Sequence, residues 1–240
     1  MIRVCSGFSP AGRVQYGERF LRSFDQHWPR EVELQVWVEE EMPMPRRACR
    51  LLFDIPGAAE FHQRHADNPA AKGLVQQPRW KDKERERGYS FRTDAYKFWK
   101  QILIPEAAAE NMADGDILVW LDGDVDTTRP VPTGLVPDLL GDAEICYLGR
   151  ARGHSEIGFW AVRLNPRTRQ FLHEIALLYT TDEVFRLPEW HSALVWDHVR
   201  RAARFKEQNL VPPGLGGHVW PYTPLARYTR HDKGKRKPRP

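Results

Sequence analysis

Cysteine is scarce. The chain of 240 residues holds three, Cys5, Cys49 and Cys146. They are too few and too far apart for a zinc-ligand or disulfide framework, which suits a reducing compartment. Long apolar runs are also missing. No stretch approaches the roughly 18 residues that cross a bilayer. Met1-Ile2-Arg3-Val4-Cys5 lacks the apolar core of a signal peptide. The expectation is a cytoplasmic protein with no membrane span. Basic charge is missing from the body. The net charge is +4, but Arg230, Lys233, Lys235, Arg236, Lys237 and Arg239 against Asp232 give residues 230–240 a charge of +5, which leaves −1 for the rest. A nucleic-acid binder with a basic body is therefore disfavoured, although the tail itself can grip phosphate or remain a solvated end. No internal repeat is visible.

What is present suits one large domain. Ile2–Cys5 reads as a first strand, with Ser6-Gly7-Phe8-Ser9-Pro10 as the loop leaving it. Tyr16, Phe20, Leu21 and Phe24 follow helical spacing up to Pro29. Val32, Leu34, Val36 and Val38 alternate with other residues as a second strand. The opening is strand–helix–strand, the start of an α/β sheet. Residues 66–90 are polar and end in the mixed-charge run Lys81–Gly88, expected to be a solvated loop. Phe91, Ala95, Phe98 and Ile102 predict a helix over 91–111 that Pro105 kinks or ends. Strands are expected at 144–148 and 157–164, and helices at 135–140, 168–180 and from Leu187 onward. Residues 209–228 read as a Pro/Gly-rich loop.

The most informative stretch is Ile117-Leu-Val-Trp-Leu121 followed by Asp122-Gly-Asp124-Val-Asp126. Five apolar residues predict a strand buried on both faces. The aspartates then fall at its carboxyl end, where open α/β sheets bind ligands. Oxygen ligands there suit Mn²⁺ or Mg²⁺. On spacing alone, a turn and a metal site stand even. The tail offers a third ligand in His231, since imidazole is a competent Mn²⁺ ligand. In the same tail, Gly234 lets backbone amides approach phosphate and Lys237 supplies charge.

Together these motifs resemble a known family. Leu121-Asp-Gly-Asp-Val125 is similar to the Leu-Asp-x-Asp strand end of GT-A glycosyltransferases. His231-x-x-Gly234-x-x-Lys237-Pro238 is similar to the tail motif of the glycogenin-like retaining family, with Arg239 where that family usually has Trp. Glu156-Ile-Gly-Phe resembles the family's Asn-x-Gly-hydrophobic strand, and Leu187-Pro-Glu189-Trp-His191 falls where the family has its Asp-Gln pair. The order of motifs also resembles small phage-encoded glycosyltransferases. The resemblance implies a single GT-A-like domain over 1–240, with a mostly parallel central sheet flanked by helices, a polar loop at 66–90 and a basic tail at 229–240. It implies sugar transfer from a nucleotide diphosphate sugar, with a UDP-sugar expected, to an acceptor hydroxyl; DNA bearing a modified base is one candidate acceptor. It implies Asp122, Asp124 and His231 as metal ligands. Asp122 also faces the donor, with Ser6, Gly7, Asp94, Lys97, Gly234 and Lys237. Glu156, Glu189 and His191 would surround the reacting sugar. Alternatives are a sugar-1-phosphate nucleotidyltransferase, whose Gly-rich basic loop is lacking near the N-terminus, and a nucleic-acid-binding protein using the basic tail.

Overall fold

The computed structural model describes residues 1–41 and 48–231. Its centre is a seven-stranded sheet. The strands are β1 (Ile2–Phe8), β2 (Val32–Val38), β3 (Ala48–Leu51), β4 (Ile117–Leu121), β6 (Ile145–Leu148), β7 (Glu156–Arg163) and β8 (Glu207–Asn209), in the order β3-β2-β1-β4-β7-β6-β8. Four of the six pairings are parallel; β7 alone runs against its neighbours β4 and β6. A separate two-stranded ribbon joins β5 (Val125–Thr127) to β9 (Thr229–His231), with Val125 opposite His231.

Alternation along the strands builds two cores. Cys5, Leu118, Trp120, Trp160 and Val162 face one way, into a cluster shared with Phe61, Trp99, Phe171 and Trp196. Val4, Val119, Leu121, Phe159 and Ala161 face the other way, towards Phe20, Phe24 and Leu139. The helices on the first face are α3 (Ala58–His65), α5 (Ala95–Ala109), α7 (Pro166–Thr180) and α8 (Ser192–Ala203). Those on the second are α2 (Glu18–His27) and α6 (Leu135–Leu140). The result is a helix–sheet–helix sandwich around a mixed, mostly parallel sheet, in which both faces of a central strand are covered. Hence β2 is buried on both faces, including Gln35 and Trp37 between its apolar residues.

Local chemistry sets the element ends. Asn165 caps α7 by accepting from the amides of Arg167 and Thr168, the Thr168 hydroxyl accepts in return from the Asn165 amide, and Pro166 takes the first turn. Asp94 caps α5 through the amide of Lys97.

Four expectations are corrected. Ser6, Gly7 and Phe8 continue β1, because they pair in register with Val36, Trp37 and Val38. The run Lys81–Gly88 contains the helix α4 (Asp82–Arg87), held by a Glu84 carboxylate on the Lys81 amide and closed by Gly88 at φ +63°. Helix α5 continues through Pro105. Burial of Ile104, Ala108 and Ala109 offsets the lost backbone hydrogen bond, and Trp99 and Leu103 carry the buried face while Phe91 lies exposed. Glu189 lies ahead of α8 rather than in its first turn, since His191 is the residue at the cap. Among the described residues, no helix is long and apolar enough to cross a membrane.

Candidate metal centre

From β1 the sheet extends to β2 on one side and to β4 on the other, so strand order reverses between β1 and β4. A crevice outside the carboxyl ends of the strands at such a reversal is the usual ligand site. Here it is a cavity of about 520 Å³ whose wall includes Gly7, Tyr16, Lys97, Lys100, Gln101, Asp122, Asp124 and His231.

Asp122 and Asp124 flank the turn that ends β4, where the Val125 amide donates to the Asp122 carbonyl. His231 arrives from the far end of the chain because β9 pairs with β5. Its Nε2 lies 3.0 Å from Asp124 Oδ1 and 3.8 Å from Asp122 Oδ2. The ring is buried, with its edge against Trp220 at 4.8 Å between centroids. Trp220 in turn donates to Thr229 Oγ1 in β9. Packing thus fixes the imidazole while its Nε2 faces two carboxylates, and the three ligand atoms lie within 4.8 Å of one another. Two oxygens and one imidazole nitrogen converging at the end of a strand fit a Mn²⁺ or Mg²⁺ ion.

Outer residues orient these groups. Asp122 Oδ1 accepts from Trp120 Nε1 at 2.8 Å and from Gln101 Nε2 at 2.9 Å, which leaves Oδ2 towards His231. Ser192 Oγ donates to Gln101 Oε1 at 2.6 Å, so the Gln101 amide nitrogen is directed at Asp122. Gly158 on β7 accepts from the Asp122 amide through its carbonyl. A Cβ at Gly158 would stand 2.7 Å from His231 Cε1 and 3.2 Å from Asp122 Oδ2. The glycine is what allows the aspartate and the imidazole to meet there. Nothing in the sequence alone marks Gln101 or Ser192. The signal for Gly158 lay in the Glu156-Ile-Gly run; the other two are joined only by the packing of α5 against α8.

The electrostatics are consistent with an anionic edge. Burial, then the charges of Asp124 and Asp122, push the Tyr16 phenol up to about 12, so it remains a donor. Burial pushes the Lys100 ammonium down to about 8 even though it pairs with Glu39. Lys97 and Lys100 put two cations on the wall opposite the acids.

The other expected residues are dispersed. Ser6 is fully buried in β1 and Gly7 lines the cavity. Asp94 is spent on capping α5 and on the Tyr89 hydroxyl, and does not line the cavity. Gly234 and Lys237 lie outside the described residues. Asp126 pairs with Arg230 and Arg19 and is not one of the three clustered groups. Glu156 is buried at the start of β7 and ion-paired with Arg150. Glu189 and His191 form a second group with His154 and Arg92. His191 lies behind the cavity wall, its ring centroid 6.1 Å from that of Phe98.

No protein-family model matches the chain, and no curated protein sequence matches it. Solved structures do match. A glycosyltransferase involved in the glycosylation of the major capsid of the virus PBCV-1 superposes with a TM-score of 0.50 at 13% identity, over 98% of this chain and 96% of that one. The glycosyltransferase GlyE of Streptococcus pneumoniae TIGR4 superposes with a TM-score of 0.48 at 10% identity, over 87% of this chain. The chain spans only 45% of GlyE's length. The viral match shows a shared fold: this chain has the same α/β architecture as that protein.

Proposed function

We propose that the protein is a metal-dependent glycosyltransferase that moves a sugar from a nucleotide diphosphate sugar to an acceptor hydroxyl. The observation that carries this reading is the meeting of Asp122, Asp124 and His231 at the strand reversal, inside a cavity that also holds two lysines. A bound divalent cation would supply Lewis acidity and charge for a departing diphosphate. The chain's own contribution is placement. Gln101 and Trp120 fix Asp122, Trp220 fixes His231, and Gly158 clears the space between them.

Lys97 and Lys100 are the cations we assign to the diphosphate, joined by Gly234 and Lys237 of the tail. We assign the nucleotide, with uridine expected, to the part of the cavity lined by Gly7 and Tyr16; the absent side chain of Gly7 makes room for Ile104 and Trp37. On this reading Ser6 supports Gly7 from within the strand, and Asp94 serves Lys97 by capping its helix. We assign Glu189 and His191 to the acceptor side, behind Phe98, and Glu156 to holding the start of β7.

The test is release of nucleoside diphosphate from a panel of nucleotide sugars with Mn²⁺, Mg²⁺ or chelator. Turnover that needs the metal and disappears in Asp124→Ala supports the reading. Equal turnover of the wild type with chelator rejects it.

A further inference from the structure

The group behind Phe98 has a chemistry of its own. Two imidazoles from separate segments converge on one oxygen of Glu189. His191 Nε2 lies 2.9 Å from Glu189 Oε2, and His154 Nε2 lies 3.5 Å from the same atom. All three ligand atoms fall within 4.8 Å of one another. Ligand atoms around a tetrahedral ion with metal–nitrogen bonds near 2.0–2.1 Å stand roughly 3.3 Å apart. The other carboxylate oxygen, Oε1, accepts from Arg92, so Oε2 alone faces the imidazoles.

The surroundings match what such ligands need. Behind His154, Asp197 Oδ2 lies 3.9 Å from Nδ1. Asp197 is only 2% exposed and is fixed by the Ser155 amide at 2.8 Å, the Ser155 hydroxyl at 2.7 Å and Arg200. The 3.9 Å separation from Nδ1 is longer than a hydrogen bond, so the buried carboxylate acts on the His154 ring through its charge. His191 is buried between Phe91, Phe98 and the His154 ring, so its position is also set by packing.

We propose that His154, Glu189 and His191 bind a first-row transition metal ion of the Zn²⁺ class, through Nε2 of each histidine and Oε2 of Glu189, with the buried charge of Asp197 beside His154. Two imidazoles and one carboxylate favour such an ion over the hard cation that suits Asp122 and Asp124. Three protein ligands leave one coordination position for water or a substrate oxygen. The proposal does not depend on the sugar-transfer reading, because metal binding is measured without donor or acceptor.

The experiment is Zn²⁺ titration by calorimetry on chelator-treated full-length protein, repeated with Co²⁺ for its visible spectrum. One tight Zn²⁺ equivalent should survive in Asp124→Ala and weaken at least 100-fold in His154→Ala and in Glu189→Gln. Asp197→Asn should weaken binding by less than either ligand variant, through loss of the buried charge beside Nδ1. Circular dichroism and melting confirm that each variant is folded; partly exposed His154 is the mildest change. The absence of tight Zn²⁺ binding in Asp124→Ala would overturn the proposal. So would Zn²⁺ affinity unchanged in folded His154→Ala and Asp197→Asn.

Discussion

The two clusters on either side of Phe98 contrast in composition. The sheet-edge group sets two carboxylates against one imidazole; the α8 group sets two imidazoles against one carboxylate already bound by Arg92. The first keeps a surplus of negative charge that a hard cation and a diphosphate can share. The second is near neutral and suits a borderline ion. They are also linked, since Ser192, next to His191, holds Gln101, and Gln101 holds Asp122. The two clusters are similar in size and differ in ligand type, which is the basis for assigning them different ions.

Substitutions can break this comparison at different strengths. Asp124→Ala should reduce Mn²⁺-dependent binding of a nucleoside diphosphate by more than the roughly 10–100-fold of an outer-residue loss, while Zn²⁺ binding at the α8 group stays intact. Calorimetry with each metal checks both halves. Gly158→Ala comes next. The new methyl would press on the His231 ring and Asp122, so Mn²⁺ affinity should fall about 10–100-fold with all three ligands present. The overpacking should also cost about 1–3 kcal/mol in a denaturant melt. Gln101→Ala should weaken Mn²⁺ binding about 10-fold, by freeing Asp122 Oδ1 from one of its two donors.

A pH series sharpens the contrast further. Burial alone would raise the Glu189 carboxyl, but hydrogen bonds from His154 and His191 and the charge of Arg92 hold it well below the ordinary carboxylate range. Burial lowers His191 from the ordinary 6.5. Both groups therefore bind fewer protons folded than unfolded in acid. The His191 contribution is complete above about pH 6.5 and is lost as pH falls towards its folded value; that of Glu189 follows below about pH 4.5. Melting temperature in chelator should fall on acidification, and less steeply in His191→Asn and Glu189→Gln than in wild type. The smallest effect belongs to Asp126→Asn, whose arginine partners sit at 3.5 and 3.9 Å on the surface. It should change stability by no more than about 1 kcal/mol and leave Mn²⁺ affinity unchanged.

The sheet-edge group was legible where chemistry is local. The apolar run Ile117–Leu121 marks a buried strand, and the residues at its end follow from strand direction. His231 could be named because it belongs to a spaced motif. Gln101 could not, and Gly158 stood out only as part of the Glu156-Ile-Gly run. Their roles arise only when α5 packs on α8 and β7 runs antiparallel to β4. His154 reads as an ordinary loop histidine until the loop before β7 folds against Glu189. The charges of Lys81–Gly88 read as a solvated loop, whereas the capping of its first and last turns makes it a helix. The finer likeness to the glycogenin-like family leans on Gly234 and Lys237, which lie outside the described residues.

The most direct measurement is the thermal shift of the full-length protein with uridine diphosphate, with and without Mn²⁺, beside His231→Ala. Stabilisation that needs both ligands in wild type and vanishes in folded His231→Ala is the predicted result. A shift of equal size with chelator, or one that survives in His231→Ala, would contradict the assignment of the sheet edge as a metal-held donor site.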